Sequence, residues 1–318
     1  MPEKIDSFRS RGGKELWLHR FALLTAGATF PLLFIGGLVT SKGAGLAVPD
    51  WPTTFGYSMF LYPWSKMIGG IFYEHSHRLV ASLVGLLTLA LALWLWRGER
   101  RRWLRWLGMI ALALVIVQGM IGGLRVVLLE ETLAIIHACF AQAFFALTVS
   151  LAFFTSKEGR EGVEKIWAAD SARIRRLCIL TTGIIYLQGF FGAILRHTGA
   201  RLEIHLVLAA VVTLHVVFLA IRIFAIPSDP PKLLRPAILL LALLVLQISL
   251  GFGAYMGRFT ALGKALPLVF VVIIRTAHVV TGALMLATSV VITLRCYRVL
   301  ASSEIWRPQR VLSERITA

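Results

Sequence analysis

Charge is what this chain of 318 residues has least of. Only 15% of it is Asp, Glu, Lys or Arg, against about 25% in a soluble domain. Acids are the scarcer sign, with 16 Asp and Glu against 33 Lys and Arg. None lies deep inside a long apolar run, which argues against a transporter with intramembrane carboxylates on broken helices. Cysteine is nearly absent. Cys139, Cys178 and Cys296 fall within or at the end of apolar runs, so no disulfide is expected outside the membrane. There is no CxxC pair, which argues against a zinc ribbon or a thioether-attached prosthetic group. A cleavable leader is not expected either, because the polar start MPEKIDSFRSRGGKE runs straight into a full-length apolar span.

What is present is hydrocarbon. Apolar residues make up 58% of the chain, with a mean hydropathy of +0.78. Eight runs, at 18–40, 76–96, 103–125, 132–154, 174–195, 203–225, 236–257 and 267–294, approach or exceed the roughly 20 residues that cross a bilayer. Backbone polar groups in lipid must pair within their own segment, so these runs are helices. The net charge of +17 would suggest nucleic acid in a soluble protein, but its distribution argues against that partner. With eight spans both termini share one side, and that side takes 24 of the 33 Lys and Arg. The bias places both termini in the cytoplasm of a multi-pass protein of the cell (plasma) membrane. Runs such as RGERRRWLRW read as topology anchors.

The chain looks duplicated. QGMIG (118–122), QGFFG (188–192) and QISLG (247–251) each carry Gln-x3-Gly near the outer end of a span, four residues apart and so on one helix face. The outer connection KGAGL (42–46) corresponds to TGARL (198–202). The expected fold is an all-α integral membrane protein, with eight transmembrane helices as two pseudo-repeated four-helix bundles. The halves are 1–156 and 170–300, followed by a cytoplasmic tail, 301–318.

Four histidines lie at one depth. His77 is 20 residues from Arg97 and His137 is 20 from Lys157, while His205 is 17 from Arg222 and His278 is 17 from Arg295. At 1.5 Å per residue all four stand roughly 25–30 Å from the cytoplasmic boundary, near the outer edge of the hydrocarbon. They occupy the second, fourth, sixth and eighth spans, which pairs His77 with His137 and His205 with His278. A single such histidine is ordinarily one hydrogen-bonded to a neighbouring helix. Four at matched depth are what two bis-histidine haem sites require, because imidazoles from facing helices can grip one porphyrin from both sides. His19, His75, His197 and His215 fall at a span end, on other faces or in an outer loop.

Arg78, Arg125, Arg196, Arg258 and Arg275 stand at outer helix ends, against the positive-inside trend. Guanidinium pairs well with carboxylate, so contact with porphyrin propionates is one assignment and contact with lipid headgroups another. Glu74 is three residues before His77 and shares its face if the helix has begun. It is the candidate catalytic acid, as a proton acceptor or as an anion opposite developing positive charge. The second half has no equivalent. As an exposed helix-end acid Glu74 would contribute only about 0.3–1 kcal/mol to folding.

At these residues the chain resembles the haem A synthase family. The matching pieces are GGLVTSKGAGLAVPDWP (36–52), EHSHR (74–78), IIHACF (135–140), GAILRHTGA (192–200) and RTAHVVTGA (275–283), which span nearly the whole chain. The resemblance implies oxidation of a ring methyl of haem O to a formyl group, giving haem A for cytochrome c oxidase assembly. It implies haem b on His205 and His278, and a haem O site at His77 and His137 with Glu74 as the essential acid. It implies haem O as partner, supplied by a haem O synthase, together with an electron donor the sequence does not name, and it is compatible with a homo-oligomer. Many bacterial members carry a cysteine pair where Val48 and Thr54 stand here, so thiol-based electron entry is not expected. Leu206 follows His205 where members often have arginine. The competing assignment is a di-haem b-type membrane cytochrome that only transfers electrons, for example from quinol.

Overall fold

The computed structural model describes residues 2–161, 163–168, 170–226 and 231–301, with side chains from Gly13 onward. Eight helices of membrane length occur among them. They are α1 (Pro2–Ser41), α2 (Gly69–Gly98), α3 (Arg102–Leu128), α4 (Glu131–Thr155), α5 (Ser171–Thr198), α6 (Leu202–Phe224), α7 (Pro231–Phe259) and α8 (Leu268–Val299). Among the described residues there is no β-strand, only isolated bridges. The chain is thus an all-α, multi-pass membrane protein. α2 starts at Gly69, more than a turn ahead of EHSHR, so that stretch lies inside the helix rather than at its opening. α5 stops where Gly199 turns left-handed at φ 75°, and Gly43 makes the matching turn after α1 at φ 66°. Glycine enters that region without a Cβ clash.

The helices pack as two rings. α1 meets α2 and α4, and α3 meets α2 and α4; α5 meets α6 and α8, and α7 meets α6 and α8. The rings touch through α1 and α4 against α8, and α4 against α5. The first core gathers Leu18, Val84, Leu91, Leu95, Leu104 and Leu151, and the second Ile174, Leu219, Ile223, Leu233, Leu240 and Ile292. Both lie towards the terminus side, which leaves the outer ends to polar groups. The seam between the rings has a smaller cluster, Phe145, Ala283 and Ala287, flanked by Phe30, Leu33 and Val149. Large apolar side chains also cover the outside, such as Leu214 at 69% exposure. Lipid is the solvent in which such a surface carries no penalty.

Candidate functional site

The helices bring the four histidines together in two pairs. His77 of α2 faces His137 of α4 with ring centroids 6.4 Å apart and planes at 78°. His205 of α6 faces His278 of α8, also at 6.4 Å, with planes at 73°. With metal–imidazole bonds of about 2 Å on either side and each ring centre about 1 Å further back, two imidazoles sharing one iron place their centroids about 6 Å apart. The Nδ1 atoms of His77, His205 and His278 are buried and have no hydrogen-bond partner among the described residues. Donor type, spacing and orphaned nitrogens all fit a bis-histidine metalloporphyrin.

Each ring rests on a glycine of the preceding helix. A Cβ at Gly36 of α1 would stand 3.1 Å from His77 Cε1, and one at Gly122 of α3 would stand 3.0 Å from His137 Cε1. Gly192 of α5 and Gly251 of α7 stand likewise at 3.1 and 3.0 Å from His205 and His278. The glutamine one turn earlier holds the same partner. Gln118 Nε2 donates to His137 O at 2.7 Å, Gln188 Nε2 donates to His205 O at 3.0 Å, and the Gln247 amide lies 3.4 Å from His278 Nε2. Gln-x3-Gly is thus the imprint of a histidine on the neighbouring helix. α1 has Leu32 in the glutamine position, so Gly36 left no such signal.

Glu74 corrects the sequence expectation of an exposed acid. It is 4% exposed, and both its oxygens are occupied. Arg78 Nη2 donates to Oε1 at 2.9 Å, and the Val48 amide donates to Oε2 at 2.9 Å. Arg78 is spent on the same structure. It also donates to Val48 O, Asp50 O and Thr53 O at 3.0, 2.7 and 3.0 Å. His75, expected to lie on another face with no role, is buried with Nδ1 3.2 Å from Thr54 Oγ1 and its ring against Tyr62. The segment between α1 and α2 is therefore pinned over the outer end of the first ring. Val48 and Thr54 both serve as pins, and the Trp51 indole lies so close on Gly123 that a Cβ there would collide. Asp50 folds the tip by accepting from the Phe55 and Gly56 amides at 2.7 and 2.9 Å and from the Thr53 hydroxyl at 2.5 Å. Slight burial raises its carboxyl, but the bonds from Gly56, Thr53 and Phe55 outweigh this and hold its pKa below the ordinary value. In the second ring the outer connections are shorter: Gly199–Arg201 between α5 and α6, and residues 260–267 between α7 and α8.

Of the other outer arginines, three donate to the protein itself. Arg196 Nη2 reaches across the seam to Gly37 O at 2.6 Å and Ser41 Oγ at 2.8 Å on α1. Thr276, two residues before His278, donates to the same Ser41 hydroxyl at 3.0 Å. A polar contact thus links the α1 end that backs His77 to the helix that carries His278. Arg258 donates to Arg196 O at 2.9 Å, and Arg275 to Gly257 O at 3.0 Å. Arg125 packs against Gly45 and makes no hydrogen bond or ion pair among the described residues. It is the guanidinium best placed for a carboxylate at the first site. His197 lies in the last turn of α5 rather than in a loop. His215 Nδ1 donates to Val211 O at 2.9 Å, and His19 Nδ1 lies 3.4 Å from Thr155 Oγ1; neither joins a pair.

Comparison with known proteins adds independent findings. The COX15-CtaA family model, described as cytochrome oxidase assembly protein, matches residues 19–205. That segment contains His77, His137 and His205, and ends before His278. The chain is 30% identical over 189 residues to the heme A synthase of Shouchella clausii, across 58% of this chain and 61% of that protein. It is 28% identical over 188 residues to the heme A synthase of Alkalihalophilus pseudofirmus, with coverage of 58% and 61%. The heme A synthase of Geobacillus kaustophilus matches at 28% over 192 residues, with 58% of each chain covered. The matched stretch spans about three fifths of these relatives' length.

Proposed function

This chain belongs to the COX15-CtaA family of cytochrome oxidase assembly proteins, and from that premise we propose that it is a haem A synthase. It takes haem O as substrate and oxidises a ring methyl to a formyl group, for delivery to cytochrome c oxidase. The observation that carries this proposal is the doubled histidine pair at 6.4 Å, with the long connection between α1 and α2 pinned at the outer end of the first ring. We assign haem O to His77 and His137, and haem b to His205 and His278. The halves 1–156 and 170–300 divide the work as pseudo-repeats. The membrane is the cell membrane, with both termini in the cytoplasm, because Lys and Arg concentrate on that side.

A bound haem supplies iron redox chemistry; the protein supplies position, charge and the exclusion of water. The glycine behind each imidazole, joined by a glutamine at His137, His205 and His278, sets its position. The loop pinned by Arg78 keeps bulk water from the first pair, which strengthens every charge interaction there. Glu74 already accepts from two donors, so its geometry favours a fixed anion over a free proton acceptor. Its carboxylate would stabilise positive charge that develops on the substrate. Arg125 would hold a propionate of the substrate.

The equal spacing of the two pairs also suits a di-haem b cytochrome. The asymmetry of the outer loop favours the synthase, since a pure electron carrier needs no cover over one site. The test is haem extraction from the purified chain with spectroscopy of what is bound. Haem b with haem O or A, in low-spin bis-imidazole form, is the expected result. Haem b alone at two per chain would favour the cytochrome, and no haem would refute both.

A further inference from the structure

A groove opens sideways into the bilayer on the terminus side of the seam between the two rings. Val149 of α4, Leu239 of α7 and Ala287 and Val291 of α8 wall it, and Arg235 and Arg295 stand at its mouth. Its volume is about 340 Å³. From Arg295 to Ala287 the helix rises roughly 12 Å, close to the roughly 15 Å of hydrocarbon in one leaflet. The groove is therefore long enough for most of one acyl chain lying along the helices, with its headgroup at the arginines.

The two arginines differ in charge balance. Arg295 is neutralised, with Nε and Nη2 each 3.2 Å from a Glu158 oxygen and Nη1 donating to Lys232 O at 2.9 Å. Arg235 makes no hydrogen bond or ion pair among the described residues. A guanidinium with no acid partner among the described residues, at the edge of the hydrocarbon above an apolar slot, is complementary to a phosphate on an acyl chain. The walls come from both rings. They adjoin the thin part of the seam, where Ala283 and Ala287 leave little side-chain volume.

We propose that this groove binds one anionic phospholipid of the terminus-side leaflet, with its phosphate on Arg235 and one acyl chain between α4, α7 and α8. The lipid completes the packing of the seam and couples the two rings. This site is separate from the histidine pairs and does not depend on their haem assignment.

The experiment is native mass spectrometry of the full chain in mild detergent, titrated with phosphatidylglycerol or with phosphatidylcholine of the same acyl chains. The expected result is one retained phosphatidylglycerol, preferred on the order of fivefold over phosphatidylcholine. Arg235→Gln should abolish the preference and leave helicity intact. Leu239→Trp, which fills the slot, should weaken first-site retention of both lipids. Arg173→Gln, an exposed arginine on the same side but away from the groove, should change neither. An unchanged preference in Arg235→Gln, or an equal loss in Arg173→Gln, would overturn the proposal. So would undiminished retention in Leu239→Trp.

Discussion

Replacing Glu74 separates its structural from its chemical role. Both carboxylate oxygens accept from donors that cannot turn away. Arg78 Nη2 is held by Val48 O, and the Val48 amide belongs to a pinned loop. In Glu74→Gln one oxygen remains, and the new amide group must face either the guanidinium or the Val48 N–H. One donor then meets another, and a charge-assisted hydrogen bond worth about 1.5–3 kcal/mol is lost. Glu74→Ala goes further, since it leaves Arg78 buried without a counter-charge, a change that costs about 3–5 kcal/mol. Arg78 keeps three carbonyl acceptors, which places the cost near the lower end. Hydrogen exchange at the Val48 amide reads this locally. A loss of about 2 kcal/mol raises the open fraction of the loop roughly 30-fold. Thermal unfolding of both variants gives the global value. If Glu74→Gln exchanged at Val48 and unfolded as the parent does, the ion pair would not hold the loop.

Other perturbations test neighbouring parts of the account. Gly251→Ala should gain about 1 kcal/mol of helix propensity yet weaken haem retention, because its Cβ would press on His278 Cε1 at 3.0 Å; normal haem content and an unshifted Soret band would contradict the cradle. His205→Ala and His278→Ala should each remove haem b from the purified protein, and an unchanged b-type spectrum in both would refute the second pair. Asp50 has a folded pKa below its unfolded value, so its contribution to loop stability is complete above about pH 4. That contribution is lost as pH falls through the lower folded value. Loop-specific proteolysis should therefore rise on acidification below about pH 4 in the parent and be independent of pH in Asp50→Asn.

The pairing of the histidines was legible because two strong regularities coincide along one axis. Apolar runs fix helix length, and basic residues mark one boundary, so counting from Arg97, Lys157, Arg222 and Arg295 gives a common depth. Gln-x3-Gly was visible as a recurrence, but its meaning needed the neighbouring helix, since a glycine's use lies in what approaches it. Gly36 does the same work without the glutamine and was hidden. The burial of Glu74 was not legible at all. It depends on a loop without periodicity whose amide returns from 26 residues away. The sequence offered Arg78 as a propionate ligand for the same reason: its four acceptors, three of them backbone carbonyls, carry no side-chain signature.

The central claim is that this chain oxidises haem O to haem A, with Glu74 and the first histidine pair at the site of reaction. Haem extraction and chromatography from cells that make the chain together with a haem O source tests it most directly. The account predicts haem A from the parent. From Glu74→Gln, Glu74→Ala and His77→Ala it predicts haem O with little or no haem A, while haem b stays bound to the second pair. Haem O alone from the parent, or haem A formed at the parent rate by any of the three variants, would contradict it.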